Sequence, residues 1–333
     1  MFINDETALA SYYQESLPQF ISESLVAGFW QRPDAALLHY RYVINPDAKA
    51  WIVLVQGRSE SVVKYAEFID ELYRNGFSVF AFDHIGQGQS SRLTDNPLHG
   101  FVSNFDEYVE DAAALIKQVL HPLQETHGQA SLPNYLLGHS MGGAISTLLL
   151  MRHPALFSKA VLCSPMYGIA TPIPAGLAKI LVSVGAYIHR LLGIQSGYFL
   201  GQGDYKDVPF KNNKLTSSEV RYRWFKQYYN DNVDARLGGV TFQWLAAALQ
   251  AIDTIEQQAS ALKTPLLMLK AGSDQIVDNK AIDSVFVKLP QASLLNIDGA
   301  QHEILFERDR YRRPAVEAIL AFLLDKADEA EAH

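Results

Sequence analysis

Tyr135-Leu136-Leu137-Gly138-His139-Ser140-Met141-Gly142-Gly143 is an apolar run that breaks into small residues around one serine. A second apolar segment, Ala144 to Met151, follows directly. Strand, sharp turn, helix is the expected order. Gly-x-Ser-x-Gly in that context reads as a nucleophile elbow, a strained turn that lifts a serine hydroxyl above the end of a sheet. The flanking glycines let strand and helix approach with no Cβ between them. Gly142 and Gly143 leave room at the helix start, where free amide N–H groups favour an anion. The pattern alone is weak, because strand-to-helix turns often carry a capping serine. It gains meaning if an acid and then a histidine follow in that order.

Upstream, Leu37 to Ile44 alternates as a strand does, and Asn45-Pro46-Asp47 turns the chain. Trp51 to Val55 is continuously apolar, as in a strand covered on both faces of a parallel sheet. Apolar pairs from Val62 to Tyr73 predict a helix that Gly76 stops, and Phe77 to Phe82 is the next buried strand. The glycine-rich turn Asp83 to Ser90 precedes a helix from Phe105 to Leu123, capped by Ser103 or Asn104. Downstream come strands Ala160 to Ser164, Leu266 to Lys270 and Leu294 to Ile297, with helices near Lys280 to Leu289 and Pro314 to Asp325. Residues 1–30 read as a helix and lead-in. This alternation predicts an α/β fold, a mostly parallel central sheet with helices on both faces. Residues 166–245 lack strand signals and predict a helical cap, inserted into a core made of 1–165 and 246–333. A cap at that point covers the carboxyl ends of the strands, where open α/β sheets hold ligands.

A serine hydroxyl is a weak nucleophile at neutral pH and needs a base. Among ten histidines, His302 lies in Asp298-Gly299-Ala300-Gln301-His302, the loop after the last strand. His139 points away from its neighbour Ser140 and is expected to order the turn. The base needs a carboxylate. Asp274 follows strand Leu266–Lys270 directly, with Asp278 as the competitor four residues on. Ser140, Asp274 and His302 stand in the order the elbow requires. The backbone N–H of Met141 and that of Arg58, in the loop after Val55, are the candidate oxyanion donors.

Other chemistries fit poorly. Gly86-x-Gly88 lacks the third glycine of a dinucleotide loop, since position 91 is Ser91. His302-Glu303 lacks a zinc helix's second histidine, since position 306 is Phe306. No Cys/His cluster suggests a metal, and no cofactor is expected. A net charge of −8 argues against nucleic acid. Apolar residues at 48% and charged residues at 19% are those of a soluble globular protein. Cys163, the one cysteine, lies in an apolar run and reads as a buried thiol in a reducing compartment. The first ten residues show no signal peptide, and the longest apolar candidate, Ile180 to Ile188, is too short to span a bilayer. The chain ends in a short Ala/acid tail, Ala327 to His333.

These motifs together resemble a family. Gly138-His139-Ser140-Met141-Gly142-Gly143, Asp83-His84-x-Gly86-x-Gly88-x-Ser90, Gly272-Ser273-Asp274 and Asp298-Gly299-Ala300-x-His302 resemble the monoacylglycerol-lipase-like serine hydrolases of the α/β-hydrolase fold. Gly57-Arg58-x-Glu60-Ser61, Lys64-Tyr65-Ala66-Glu67, Ser103-Asn104-Phe105 and Pro165-Met166-Tyr167-Gly168 are similar to the bacterial inner-membrane lysophospholipases within that family. The resemblance runs from about residue 50 to 310 and is weakest in 166–245. It implies hydrolysis of the acyl ester of a lysophospholipid, with some acyl transfer to phosphatidylglycerol. It also implies a cytoplasmic protein at the cytoplasmic face of the inner membrane. Two positions depart from the family. Gln56-Gly57 replaces His-Gly before the oxyanion donor, and Ile85 replaces an arginine.

Residues 166–245 carry nine Lys/Arg and five Asp/Glu, whereas the rest of the chain carries nineteen and thirty-one. The same segment holds thirteen of the 37 aromatic residues. A basic, aromatic cap suits an anionic head group beside an acyl chain and peripheral contact with an anionic bilayer surface. Arg221, Arg223, Lys226 and Trp224 are the candidate substrate contacts. The expected substrate is a lysophospholipid. Monoacylglycerol, a general ester, and a non-catalytic lipid-binding role are the alternatives.

Overall fold

The computed structural model describes residues 1–325 apart from Pro172 and Pro174, so the Ala327–His333 tail lies outside the described residues. Eight strands form one sheet: β1 (Val26–Gln31), β2 (Leu37–Val43), β3 (Ala50–Val55), β4 (Phe77–Phe82), β5 (Asn134–His139), β6 (Lys159–Cys163), β7 (Leu266–Ala271) and β8 (Ala292–Ile297). Their order across the sheet is β1-β2-β4-β3-β5-β6-β7-β8. β2 runs antiparallel to both β1 and β4, and all remaining neighbours are parallel. The mostly parallel sheet expected from the alternation is present. β3, β4 and β6 are buried at every residue, which explains their continuous apolar composition.

The helices are α1 (Leu9–Gln14), α2 (Ser16–Glu23), α3 (Ala66–Arg74), α4 (Phe105–Leu115), α5 (His121–Thr126), α6 (Met141–Arg152), α7 (Ala175–Leu191), α8 (Glu219–Asp231), α9 (Phe242–Gln258), α10 (Asn279–Phe286) and α11 (Asp309–Leu324). Strand alternation divides the core between the two faces of the sheet. Trp51, Val53 and Val55 of β3 join α4 and α6 on one face. Ile52 and Leu54 join α3 and α11 on the other.

Three elements differ from expectation. β1 lies largely within residues 1–30, which the sequence reading takes as helix and lead-in, and it carries Gly28. A Cβ at that position would come 2.4 Å from the Tyr40 ring of β2, so the glycine marks a close approach between paired strands. The helix starting at Phe105 passes through a π turn, Ile116–Leu120, before α5. α11 begins at Asp309, ahead of Pro314, and side chains of its first turn are anchored. Arg221 Nη1 bonds Asp309 Oδ1 at 3.1 Å, and Arg312 forks onto Glu71 at 2.9 and 2.7 Å.

Between β6 and β7 the chain carries α7, α8 and α9. α9 runs through the expected boundary at 245. Its Trp244, Ala248, Ala251 and Ile255 share the apolar cluster of α6, so the helix belongs to the core along much of its length.

Candidate active site

Ser140 joins β5 to α6 with φ 53° and ψ −119°, a region that non-glycine residues rarely occupy. Its amide donates to the Cys163 carbonyl at 3.0 Å, and its own carbonyl accepts from Gly143 and Met166 at 2.9 Å each. Both motif glycines are sterically required. A Cβ at Gly138 would lie 2.4 Å from Ser146 Oγ, and one at Gly142 would lie 2.1 Å from the Val55 carbonyl oxygen. The tight strand-to-helix turn holds the backbone strain at one residue and exposes its hydroxyl above the sheet edge.

The structure brings Ser140, His302 and Asp274 into one hydrogen-bonded chain. His302 Nε2 stands 2.9 Å from Ser140 Oγ, and His302 Nδ1 stands 2.7 Å from Asp274 Oδ2. Asp274 Oδ1 accepts from the amides of Ile276 and Val277 at 2.8 and 3.0 Å. Burial opposes the Asp274 charge. The hydrogen bond and charge of His302, with the two amides, outweigh it and hold the carboxyl below its ordinary pKa. The competitor Asp278 is used elsewhere. It caps α10 and accepts from the Lys280 amide at 2.9 Å. The arrangement can draw a proton from the serine hydroxyl and hold it on an imidazole fixed by a carboxylate.

Met141 opens α6, so its amide is one of the free N–H groups of a first helical turn. Arg58, Ser140, Met141 and His302 line one cavity of about 550 Å³. The Arg58 side chain is held in place on its far end. Its guanidinium donates to the Gly238 and Gly239 carbonyls at 3.0 and 2.7 Å and lies 5.0 Å over the Trp244 ring. Burial lowers its pKa to about 10. The loop after β3 is thus clamped to the segment entering α9.

The cavity lining is chemically mixed. Met166, Ile169, Val240, Leu245, Ile276 and Val277 contribute apolar surface. Lys206, Lys214, Asn212 and Asn213 contribute polar groups, with both lysines exposed. The four candidate substrate contacts divide unequally. Lys226 lines the cavity, but Asp207 pairs with it at 2.6 Å. Arg221 does not reach it. It is fully buried beneath α8 and held by Glu67 at 3.0 Å and Asp309 at 3.1 Å. Arg223 faces solvent and pairs with Glu219, and Trp224 stacks on Tyr13 at 4.9 Å, both at a separate groove. Sequence reasoning missed Lys206 and Lys214, which no motif marks. It also left Glu60, Lys64 and Glu303 without a role. Glu60, His139 and Glu303 offer ligand atoms within 4.8 Å of one another, a spacing a cation could use. The Lys64 ammonium already bridges the two carboxylates at 2.5 and 2.7 Å.

Residues 46–309 match the Hydrolase_4 family, serine aminopeptidase S33. Lysophospholipase L2 of Escherichia coli (strain K12) is 36% identical over 325 residues, covering 95% of this chain and 92% of that protein. Monoglyceride lipase of Rattus norvegicus is 30% identical over 259 residues, covering 76% of this chain and 75% of that one. Among solved structures, a soluble variant of monoglyceride lipase from Saccharomyces cerevisiae in complex with a substrate analog has a TM-score of 0.72. It is 17% identical and covers 90% of this chain and 95% of its own, a likeness of fold.

Proposed function

The chain belongs to the Hydrolase_4 family and stands with its lysophospholipase L2 relatives, and from that premise we propose that it hydrolyses the acyl ester of lysophospholipids. It is a serine hydrolase acting on lipid esters. The observation that supports the reading best is the Ser140–His302–Asp274 hydrogen-bonded chain at a cavity lined by both apolar residues and lysines.

Ser140 Oγ attacks the ester carbonyl as His302 Nε2 takes its proton, and the Asp274 carboxylate stabilises the imidazolium. The Met141 and Arg58 amides hold the oxyanion. His302 returns the proton to the leaving glycerol oxygen. Water, deprotonated by the same histidine, then releases the fatty acid. Residues 166–245 act as a cap over this centre. The acyl chain takes the apolar surface. The phosphate lies toward Lys206 and Lys214, which have no acidic partner among the described residues.

Contact with the bilayer is peripheral in this reading, at the cytoplasmic face of the inner membrane. Among the described residues no helix is long and apolar enough to cross a membrane. α7 instead exposes Leu177, Ile180, Val184, Tyr187, Ile188 and Leu191, at spacings of three and four residues along one face. The substrate assignment is tested with a Lys206→Ala/Lys214→Ala variant on lysophosphatidylglycerol and on monoacylglycerol, both as monomers. Roughly a tenfold loss of kcat/KM on the phospholipid alone is expected from removing two phosphate contacts. An equal effect on both substrates rejects the phosphate assignment.

A further inference from the structure

Lining the cavity beside Ser140 and His302 is a group of little-exposed ionisable side chains that the proton transfers above do not use. Glu60, Lys64, His139 and Glu303 are each at most 4% exposed, and Tyr65 is fully enclosed. Lys64 Nζ donates to Glu60 Oε1 and Glu303 Oε1. Glu60 Oε2 accepts from the Gly57 amide at 2.5 Å and from the Tyr65 hydroxyl at 2.6 Å. The Tyr65 oxygen in turn lies 3.1 Å from His139 Nδ1. His139 Nε2 lies 3.4 Å from the His302 carbonyl oxygen and 3.8 Å from Glu303 Oε2. Both ring nitrogens of His139 therefore face acceptors. Burial disfavours its charged form, but Glu303 and Glu60 outweigh that and raise its pKa.

The group spans three separate pieces of chain. Glu60 belongs to the loop that presents the Arg58 amide, His139 precedes Ser140, and Glu303 follows His302. Stability is a poor explanation for it. Buried ion pairs are often no better than apolar residues of similar volume, and apolar packing is at hand. Lys64 Nζ already lies 4.6 and 4.8 Å from the Phe306 and Phe225 rings.

We propose that Lys64 and Glu303 are positioning residues for the hydrolysis. Their ion pair, shared with Glu60, locks the loop of the oxyanion amide to the loop of the base across the elbow. The proposal rests on the reading of Ser140 as nucleophile and His302 as base.

The lock also places charge beside His302. Asp274 faces that imidazole from the β7 loop, and the His139 ring lies 5.0 Å away on the elbow. Glu303 from its own loop, Glu60 and Lys64 from the segment after β3, and Lys206, Lys214, Lys226 and Tyr229 from the stretch between β6 and β7 line the same cavity as His302. Removing the Glu303 charge disfavours the imidazolium and moves the acid limb of the kcat/KM profile to lower pH. Removing the Lys64 charge favours it and moves the limb to higher pH. A purely structural role lowers the rate without this opposition of sign.

The test measures kcat and KM against pH on a soluble short-chain ester, for wild type, Glu303→Gln, Lys64→Met, their double variant and Lys64→Arg. Glu303→Gln is expected to shift the acid limb down by about half a pH unit and Lys64→Met to shift it up by about as much, the double variant returning close to wild type. Lys64→Met lowers kcat roughly 10- to 100-fold with KM changed less than about twofold, and Lys64→Arg recovers most of kcat. Shifts in the same direction, or none, overturn the proposal. If Lys64→Met does not fold, Glu303→Gln decides it: an acid limb moved to lower pH with kcat reduced supports the proposal, and an unmoved or raised limb overturns it. A wild-type protein without ester turnover defeats the underlying hydrolase reading instead, so the two failures are distinct.

Discussion

Ser140 concentrates the local argument. Its backbone sits at φ 53°, and the glycines around it are fixed by contacts that no Cβ could survive. That much was legible from spacing, because the elbow's steric demands leave few residue types. The carboxylate partner was legible only as a choice between Asp274 and Asp278. The structure separates them by use, since Asp278 caps α10 while Asp274 holds His302. Asp274 sits below its ordinary pKa, so its stabilising contribution is complete above the ordinary carboxylate range. That contribution is lost as pH falls through the depressed folded-state value. Asp274→Asn should therefore cost stability near neutral pH, and its deficit relative to wild type should shrink below about pH 4. Urea midpoints of both proteins, taken from pH 7 down to the acid limit of the fold, measure this. A deficit that grows with acid contradicts the assignment.

At the scale of elements, the basic character of the stretch between β6 and β7 was legible but its division of labour was not. Arg221 looked available in sequence because the acids that neutralise it are far away along the chain. Glu67 is 154 residues distant and Asp309 is 88. In the fold, Arg221 fastens α8 to α3 and α11 instead of facing a ligand. Arg221→Ala should cost about 3 kcal/mol or more in urea unfolding, because it leaves buried Glu67 short of a partner. It should leave the ratio of lysophospholipid to monoacylglycerol turnover unchanged, and a changed ratio would return Arg221 to the substrate site. α7 carries the opposite kind of prediction. Its exposed apolar face has no described packing duty, so Ile180→Asp/Leu191→Asp should abolish most co-sedimentation with anionic vesicles while sparing turnover of a soluble ester. Retained vesicle binding removes α7 from the docking surface. β1 escaped the sequence for a related reason, since the ring that demands Gly28 belongs to the neighbouring strand.

Across the whole molecule, strand runs and their alternation with helices sufficed for every strand of the sheet except β1, because strands buried on both faces leave continuous apolar segments. What sequence could not supply was juxtaposition. Lys64 and Glu303 meet across a separation of 239 residues, and no local pattern announces a buried ion group of that span. The lysines Lys206 and Lys214 that line the cavity are likewise exposed residues without a motif. The chain sets a basic 166–245 segment against an acidic remainder. Its central claim is that Ser140 carries the acyl group during lipid ester hydrolysis. The most direct measurement compares wild type with Ser140→Ala for fatty acid release from a lysophospholipid and for labelling by a serine-directed fluorophosphonate. The account predicts one adduct, on Ser140, and a loss of turnover of roughly 10⁴-fold or more in the variant. Turnover or labelling that survives in Ser140→Ala would contradict it.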